Sequence, residues 1–146
     1  MRIRLRRAGA SRRALAVFQE CTDAELRAVD AIGTEVQIPA GTQMMREGSA
    51  GLQAMIILAG SVEVSRSGSH LAELGAGAIV GEMSLLDGSP RTATVTAKTQ
   101  VRALVLNAGE FNELLRLAPS AGAAIGRTAA ERRVPALKLR TAVRPA

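Results

Sequence analysis

The chain has no tryptophan and no tyrosine, and its 146 residues carry only two aromatic side chains, Phe18 and Phe111. Leu, Ile, Val, Ala and Met must therefore build the core, and base stacking on interleaved aromatics is excluded. A single cysteine, Cys21, cannot form an internal disulfide; it is compatible with a reducing cytoplasm and reads as a small apolar group near the second helix. A single histidine, His70, lies in a strand-like stretch. One His, one Cys and no close group of acids give neither zinc-ligand spacing nor a Cys/His pair, so His70 reads as a solvated strand residue and the chain as no enzyme. No apolar run approaches the ~18 residues of a membrane span. The start, MRIRLRRAGASRR, has the basic opening of a signal peptide, but the longest apolar run that follows is Ala14 to Phe18, too short for the central segment. What remains is one soluble, cytoplasmic domain of ordinary apolar content, 47%. A chain of this length buries about 70% of its unfolded surface and needs no staples.

The net charge of +6 is unevenly placed. Residues 1–13 hold six Arg, and residues 127–146 hold five Arg and Lys138 against Glu131 alone. Between them lie 7 of the 19 basic residues and 12 of the 13 acidic ones, a balance of −5. An acidic body with basic ends argues against nucleic acid as the partner, and each end reads as a solvated tail.

Ala14, Leu15, Val17 and Phe18 make an apolar patch that predicts a first helix, and Thr22 with Glu25 forms a capping box that starts a second. Strand signals follow at Val36 and Ile38, Met55 to Leu58, Val62 and Val64, His70 to Leu74, Ala78 to Val80, Thr94 to Ala97 and Val101 to Leu106. Short strands between glycine turns argue for a β-roll or sandwich. Phe111, Leu114 and Leu115 resume helical spacing, and a last helix begins near Pro119 and ends or kinks before Pro135. No long linker, low-complexity tract or tandem repeat interrupts this order. GAGAIVG, Gly75 to Gly81, misses the dinucleotide fingerprint by one residue and enters a short strand rather than a long helix.

Chemistry concentrates in Gly81 to Val95, GEMSLLDGSPRTATV. Gly81 lets the backbone come close to a ligand, and a helix starting there offers a phosphate unpaired N–H groups and the positive end of its dipole. Arg91 adds a planar fork for phosphate oxygens. Glu82, an acceptor only when ionised, takes hydrogen bonds from donors such as ribose hydroxyls. Each residue also has an ordinary explanation: Glu82 as a first-turn acid, Arg91 as a surface ion pair with Asp87, Thr92 and Thr94 as strand formers. Those explanations do not account for all of them meeting within fifteen residues, with glycines before them.

This segment resembles the phosphate-binding cassette of cyclic nucleotide-binding domains, in which F-G-E is followed by an apolar pair, a short loop, P-R-[TSA]-A and a strand. Here it reads Val80-Gly81-Glu82 and then Pro90-Arg91-Thr92-Ala93. The likeness continues in the Gly41 turn, Arg46-Glu47-Gly48, Gly60 with Val62 and Leu74-Gly75-Ala76-Gly77, over roughly residues 12 to 133, and is strongest toward bacterial channel-type domains.

The resemblance implies a mainly β fold in one domain, residues 1–146: an eight-stranded jelly-roll (34–107) containing the cassette (81–95), N-terminal helices (12–31) and C-terminal helices (108–140). It implies a non-catalytic sensor that binds cyclic AMP and also admits cyclic GMP, with no metal or further cofactor. The implied ligand-binding residues are Gly81, Glu82, Met83, Ser84, Arg91, Thr92 and Ala93, with Arg132 of the C-terminal helix at the base. In such proteins that helix moves over the nucleotide and signals to an effector, so the implied partners are the nucleotide and an effector protein, and a homodimer is compatible. The chain is expected to be a free-standing sensor module or an excised regulatory domain.

Three departures stand out. Val80 replaces the usual phenylalanine, Ala59 stands where many relatives carry an acid, and Ser84 where alanine is commonest. Without Tyr or Trp, a lid must use aliphatic or arginine side chains. The alternative is an interaction protein that keeps the fold, has lost the ligand and docks through its basic ends on an acidic protein, a membrane surface or nucleic acid.

Overall fold

The computed structural model describes residues 15–127. Its strands are β1 (Thr34–Ile38), β2 (Gln43–Met45), β3 (Gln53–Ala59), β4 (Val62–Arg66), β5 (Ser69–Leu74), β6 (Ile79–Val80), β7 (Thr94–Ala97) and β8 (Val101–Asn107). They form two antiparallel four-stranded sheets, ordered β1-β8-β3-β6 and β2-β7-β4-β5, the jelly-roll that the resemblance implied. The helices are α1 (Asp23–Val29), α2 (Glu82–Asp87), α3 (Ala108–Leu117) and α4, which runs over residues 119–127 to the end of the described residues.

The first sheet is buried on both faces. Val36, Met55, Ile57, Ala103 and Val105 point between the sheets and meet Met45, Val62 and Val95 of the second. On the other face Ala54, Ile56, Leu58, Leu104 and Leu106 pack under Phe18, Leu26, Val29, Phe111, Leu114 and Ile125. This is why β3 reads as an unbroken apolar run: a strand covered on both sides has no polar face. The second sheet is covered on one side only. Accordingly, in β4, Val62 and Val64 pack inward while Glu63 keeps its side chain half exposed.

Two elements differ from the sequence reading. The expected first helix is a single 3-10 turn, Ala16–Phe18, with Leu15, Val17 and Phe18 buried; Ala14 lies outside the described residues. An α-helix has no room there, because Thr22 must be extended (φ −74°, ψ 164°) to cap α1. Its hydroxyl accepts from Glu25 N at 3.1 Å while the Glu25 carboxylate accepts from Thr22 N at 2.8 Å. Strand β2 gave no signal because it is three residues long, buries only Met45 and is bulged where it pairs with β7.

The helical ends are tied together. Asn107 and Glu110 cap α3 reciprocally, at 2.8 and 3.0 Å. Pro119 is the first residue of α4, the position where a missing N–H costs nothing. The second oxygen of Glu25 accepts from Ser120 N at 2.9 Å, so one carboxylate caps both α1 and α4, and Arg127 reaches Glu20 at 3.1 Å.

Candidate functional site

The cassette helix α2 is bracketed by two left-handed glycines, Gly81 (φ 82°) and Gly88 (φ 73°), so the chain turns sharply into it and out of it. Asp87 Oδ1 then accepts from Ser89 N at 3.0 Å and from its hydroxyl at 2.6 Å, which bends the loop toward Pro90 and Arg91. With six residues the helix sums few peptide dipoles.

Arg91 is fixed at both ends. Its main chain exchanges hydrogen bonds with the turn before β3: Gly48 N donates to Arg91 O and Arg91 N donates to Ser49 O, each at 2.9 Å. Its guanidinium donates to the carbonyls of Gly81, at 3.0 Å, and Gln53. A guanidinium has five N–H donors, so this anchoring does not exhaust it. The fork passes so close to Gly81 that a Cβ there would lie 2.5 Å from Arg91 Nη1 and 2.7 Å from Met45 Cε. Gly81 is thus required both by its φ and by the arginine.

Arg91 retains 9% of its surface exposed and Glu82 retains 0%, so the cassette brings a carboxylate and a guanidinium into the protein. Burial pulls the guanidinium below its ordinary pKa, and the Glu82 carboxylate pushes it back up. Ser84 is buried, Met83 and Ala93 are half-buried, and Thr92 is exposed. Val80 sits in the core between the sheets, opposite Met55. Arg132 lies outside the described residues.

The sequence reading missed the supports of the cassette. Gly51 is one: a Cβ there would lie 2.0 Å from Ser84 Cβ, so the loop before β3 presses directly on α2. Nothing in a lone loop glycine announces that approach. The Gln53 carbonyl is another, and a backbone acceptor leaves no trace in side-chain identity. Arg46-Glu47-Gly48 was noticed as likeness without a role; the structure shows it as the edge on which the arm after α2 is laid, with Glu47 N donating to Thr94 Oγ1 at 3.1 Å. His70 is exposed on β5, 2.9 Å from Glu63 Oε2. Among the described residues no group of three or more His, Cys, Asp or Glu is placed to hold a metal, and no helix is long and apolar enough to cross a membrane.

Two facing four-stranded antiparallel sheets with a glycine-bracketed helix between β6 and β7 define a jelly-roll domain. The family profile for the cyclic nucleotide-binding domain matches residues 35–117, and the chain belongs to that family. It is 44% identical over 96 residues to a cyclic nucleotide-gated potassium channel of Rhizobium etli, a match covering 66% of this chain and 27% of the channel. Among solved structures, the Thermus thermophilus catabolite activator protein superimposes with a TM-score of 0.74 at 26% identity, over 86% of this chain and 62% of that one. The regulatory subunit of a cAMP-independent protein kinase A from Trypanosoma brucei gives a TM-score of 0.68 at 30% identity, over 80% of this chain and 43% of that one. The chain spans about a quarter of the length of the channels it matches, 27% and 26%.

Proposed function

We propose that this domain senses cyclic AMP, with cyclic GMP as a second ligand, and relays its binding to an effector protein without catalysing a reaction. The observation that supports this reading best is the burial of Glu82 and Arg91 at the two ends of one cassette. An ionised group taken from water costs several kcal/mol unless it is compensated. Arg91 meets part of that cost through the carbonyls of Gly81 and Gln53 and keeps donors beyond them, which suits a phosphate beside the buried carboxylate. In this reading Arg91 clamps the cyclic phosphate, the N–H groups of Met83 and Ser84 and the segment Thr92-Ala93 complete the phosphate side, Gly81 admits the ligand to the backbone, and Glu82 accepts from the ribose hydroxyl. Relatives named for gating by cyclic nucleotides support an attached effector; that the C-terminal helix moves it is part of the proposal. One neighbour is described as the regulatory subunit of a cAMP-independent protein kinase A, so the choice of cyclic AMP as ligand is argued from these side chains and not from the fold.

Calorimetric titration with cyclic AMP tests it. Arg91→Ala is expected to lose about 2 to 5 kcal/mol of binding, roughly thirty-fold to several thousand-fold. Glu82→Ala, which loses hydrogen bonds to a neutral sugar, is expected to lose about 1.5 to 3 kcal/mol. Arg91 also holds two carbonyls, so each variant is unfolded thermally in parallel to separate lost affinity from lost fold. Wild-type affinity in Arg91→Ala refutes its role. No binding by the unaltered protein at millimolar nucleotide leaves the ligand-free interaction module as the better account.

A further inference from the structure

We propose that the side chain of Ser84, beyond its N–H, holds the ligand, its hydroxyl donating to a phosphate oxygen beside Arg91; the inference rests on the reading of the phosphate side just given. Ser84 is the third residue of α2 and keeps only 6% of its surface exposed. Among the described residues its hydroxyl has no hydrogen-bond partner. The one side-chain nitrogen or oxygen among them that is sealed from solvent without a partner is Arg102 Nε. The unpaired Ser84 oxygen therefore lies at an opening, in a residue that is otherwise enclosed.

The fold gives that opening a direction. Cβ bonds of helical residues tilt toward the helix N-terminus, so the hydroxyl leans to the end of α2 at which Gly81 turns the chain. Gly51 shows how near Arg91 is: a Cβ there would lie 2.3 Å from Ser84 Oγ and 3.3 Å from Arg91 Nη1. Two atoms so close to one point are within reach of a single bridging oxygen at hydrogen-bond lengths of about 2.8 Å. Nη1 carries a second N–H beyond the one given to the Gly81 carbonyl at 3.0 Å, so both groups have a proton for that oxygen. In the free protein the hydroxyl is a burden, because an enclosed polar group without a partner is unfavourable and serine is a poorer helix former than alanine. A phosphate removes the first of these penalties, and the hydroxyl therefore acts with opposite sign on the empty fold and on binding.

The test is titration of the unaltered protein, Ser84→Ala and Arg91→Ala with cyclic AMP and with its Sp and Rp phosphorothioates, in which sulfur, a poor acceptor, replaces one or the other exocyclic oxygen. Ser84→Ala is expected to bind cyclic AMP about 10-fold more weakly, the lower end for a hydrogen bond to a charged acceptor. The loss should persist with one diastereomer and shrink below about 3-fold with the other, whose sulfur stands where the hydroxyl donates. Thermal unfolding without nucleotide should place the Ser84→Ala midpoint at or above that of the unaltered protein, since alanine suits a helix and leaves no hydroxyl unpaired. Unchanged affinity in Ser84→Ala, equal losses with both diastereomers, or a lower midpoint overturns the inference. If Arg91→Ala binds normally, or the unaltered protein binds nothing, the reading of the cassette falls and this inference with it; if Arg91→Ala fails and Ser84→Ala binds as the unaltered protein does, this inference falls alone.

Discussion

Thr92 follows the buried arginine yet is exposed, with its carbonyl taken by Arg66. Its side chain therefore faces a different task from its backbone. In domains of this family a hydroxyl here can meet the guanine amino group of a syn purine, where alanine offers nothing. Thr92→Ala is expected to lower affinity for cyclic GMP and leave cyclic AMP untouched, with cyclic AMP binding the unaltered protein at least as well. Competition titration checks this, and a preference for cyclic GMP above tenfold in the unaltered protein refutes it. At this scale the sequence singled out Glu82 and Arg91 by residue type, and the structure buries both, but it was silent where space decides. Gly51 is required because Ser84 lies against it, a fact that exists only once the loop before β3 and α2 have been brought together.

Elements were legible in proportion to their periodicity. The alternation in β4 and the capping box of α1 are local and could be read directly, whereas the Asn107–Glu110 cap of α3 went unread and β2 is too short and too irregular to show a period. The tie between α1 and α4 was hidden because Glu25 already had an evident role in the capping box. Its carboxyl is held below its ordinary value chiefly by the N–H of Ser120 and next by that of Thr22. A folded pKa below the unfolded one contributes stability that is full above the unfolded value, about 4.3, and that fades as pH falls through the lower folded value. The midpoint of thermal unfolding should therefore drop between about pH 5 and 3 more steeply in the unaltered protein than in Glu25→Gln, whose amide does not titrate. Parallel profiles would remove Glu25 from the link between the two helices.

For the whole molecule, the question is how a ligand at the cassette reaches the helices. Helix α4 enters the described residues clamped to the N-terminal segment at Ser120 and Arg127, and its apolar side, Ala121 and Ile125, shares a core with Phe18, Cys21 and Leu26. The sequence reading puts a lid over residues 120–134; its Arg132, outside the described residues, would stack its guanidinium on the purine in place of an aromatic. Hydrogen exchange with and without saturating cyclic AMP is expected to show residues 120–134 protected on binding, and Arg132→Ala to weaken binding by about 0.5 to 2 kcal/mol. Unchanged exchange there, or unchanged affinity in Arg132→Ala, would mean that the arginine only complements the end of a helix.

The double burial of the first sheet also bears on how the chain finds its fold. In a strand with one wet face, slipping by one residue exposes the apolar side and is punished at once. In β3 a slip exchanges one apolar compartment for the other, so hydrophobicity alone does not set its alignment. Alignment falls to features that cannot slide: the irregularity between Ile57 and Ala59, Gly60 pressed so close that a Cβ would lie 2.3 Å from Gln100 O, and the Gln53 carbonyl gripped by Arg91. The last of these joins residues 38 apart, late contacts by the cost of closing the loop between them. Fixing where β3 begins and seating the Arg91 guanidinium are thus coupled in folding, and a chain that paired β3 one residue out would be compact with its cassette arginine unanchored.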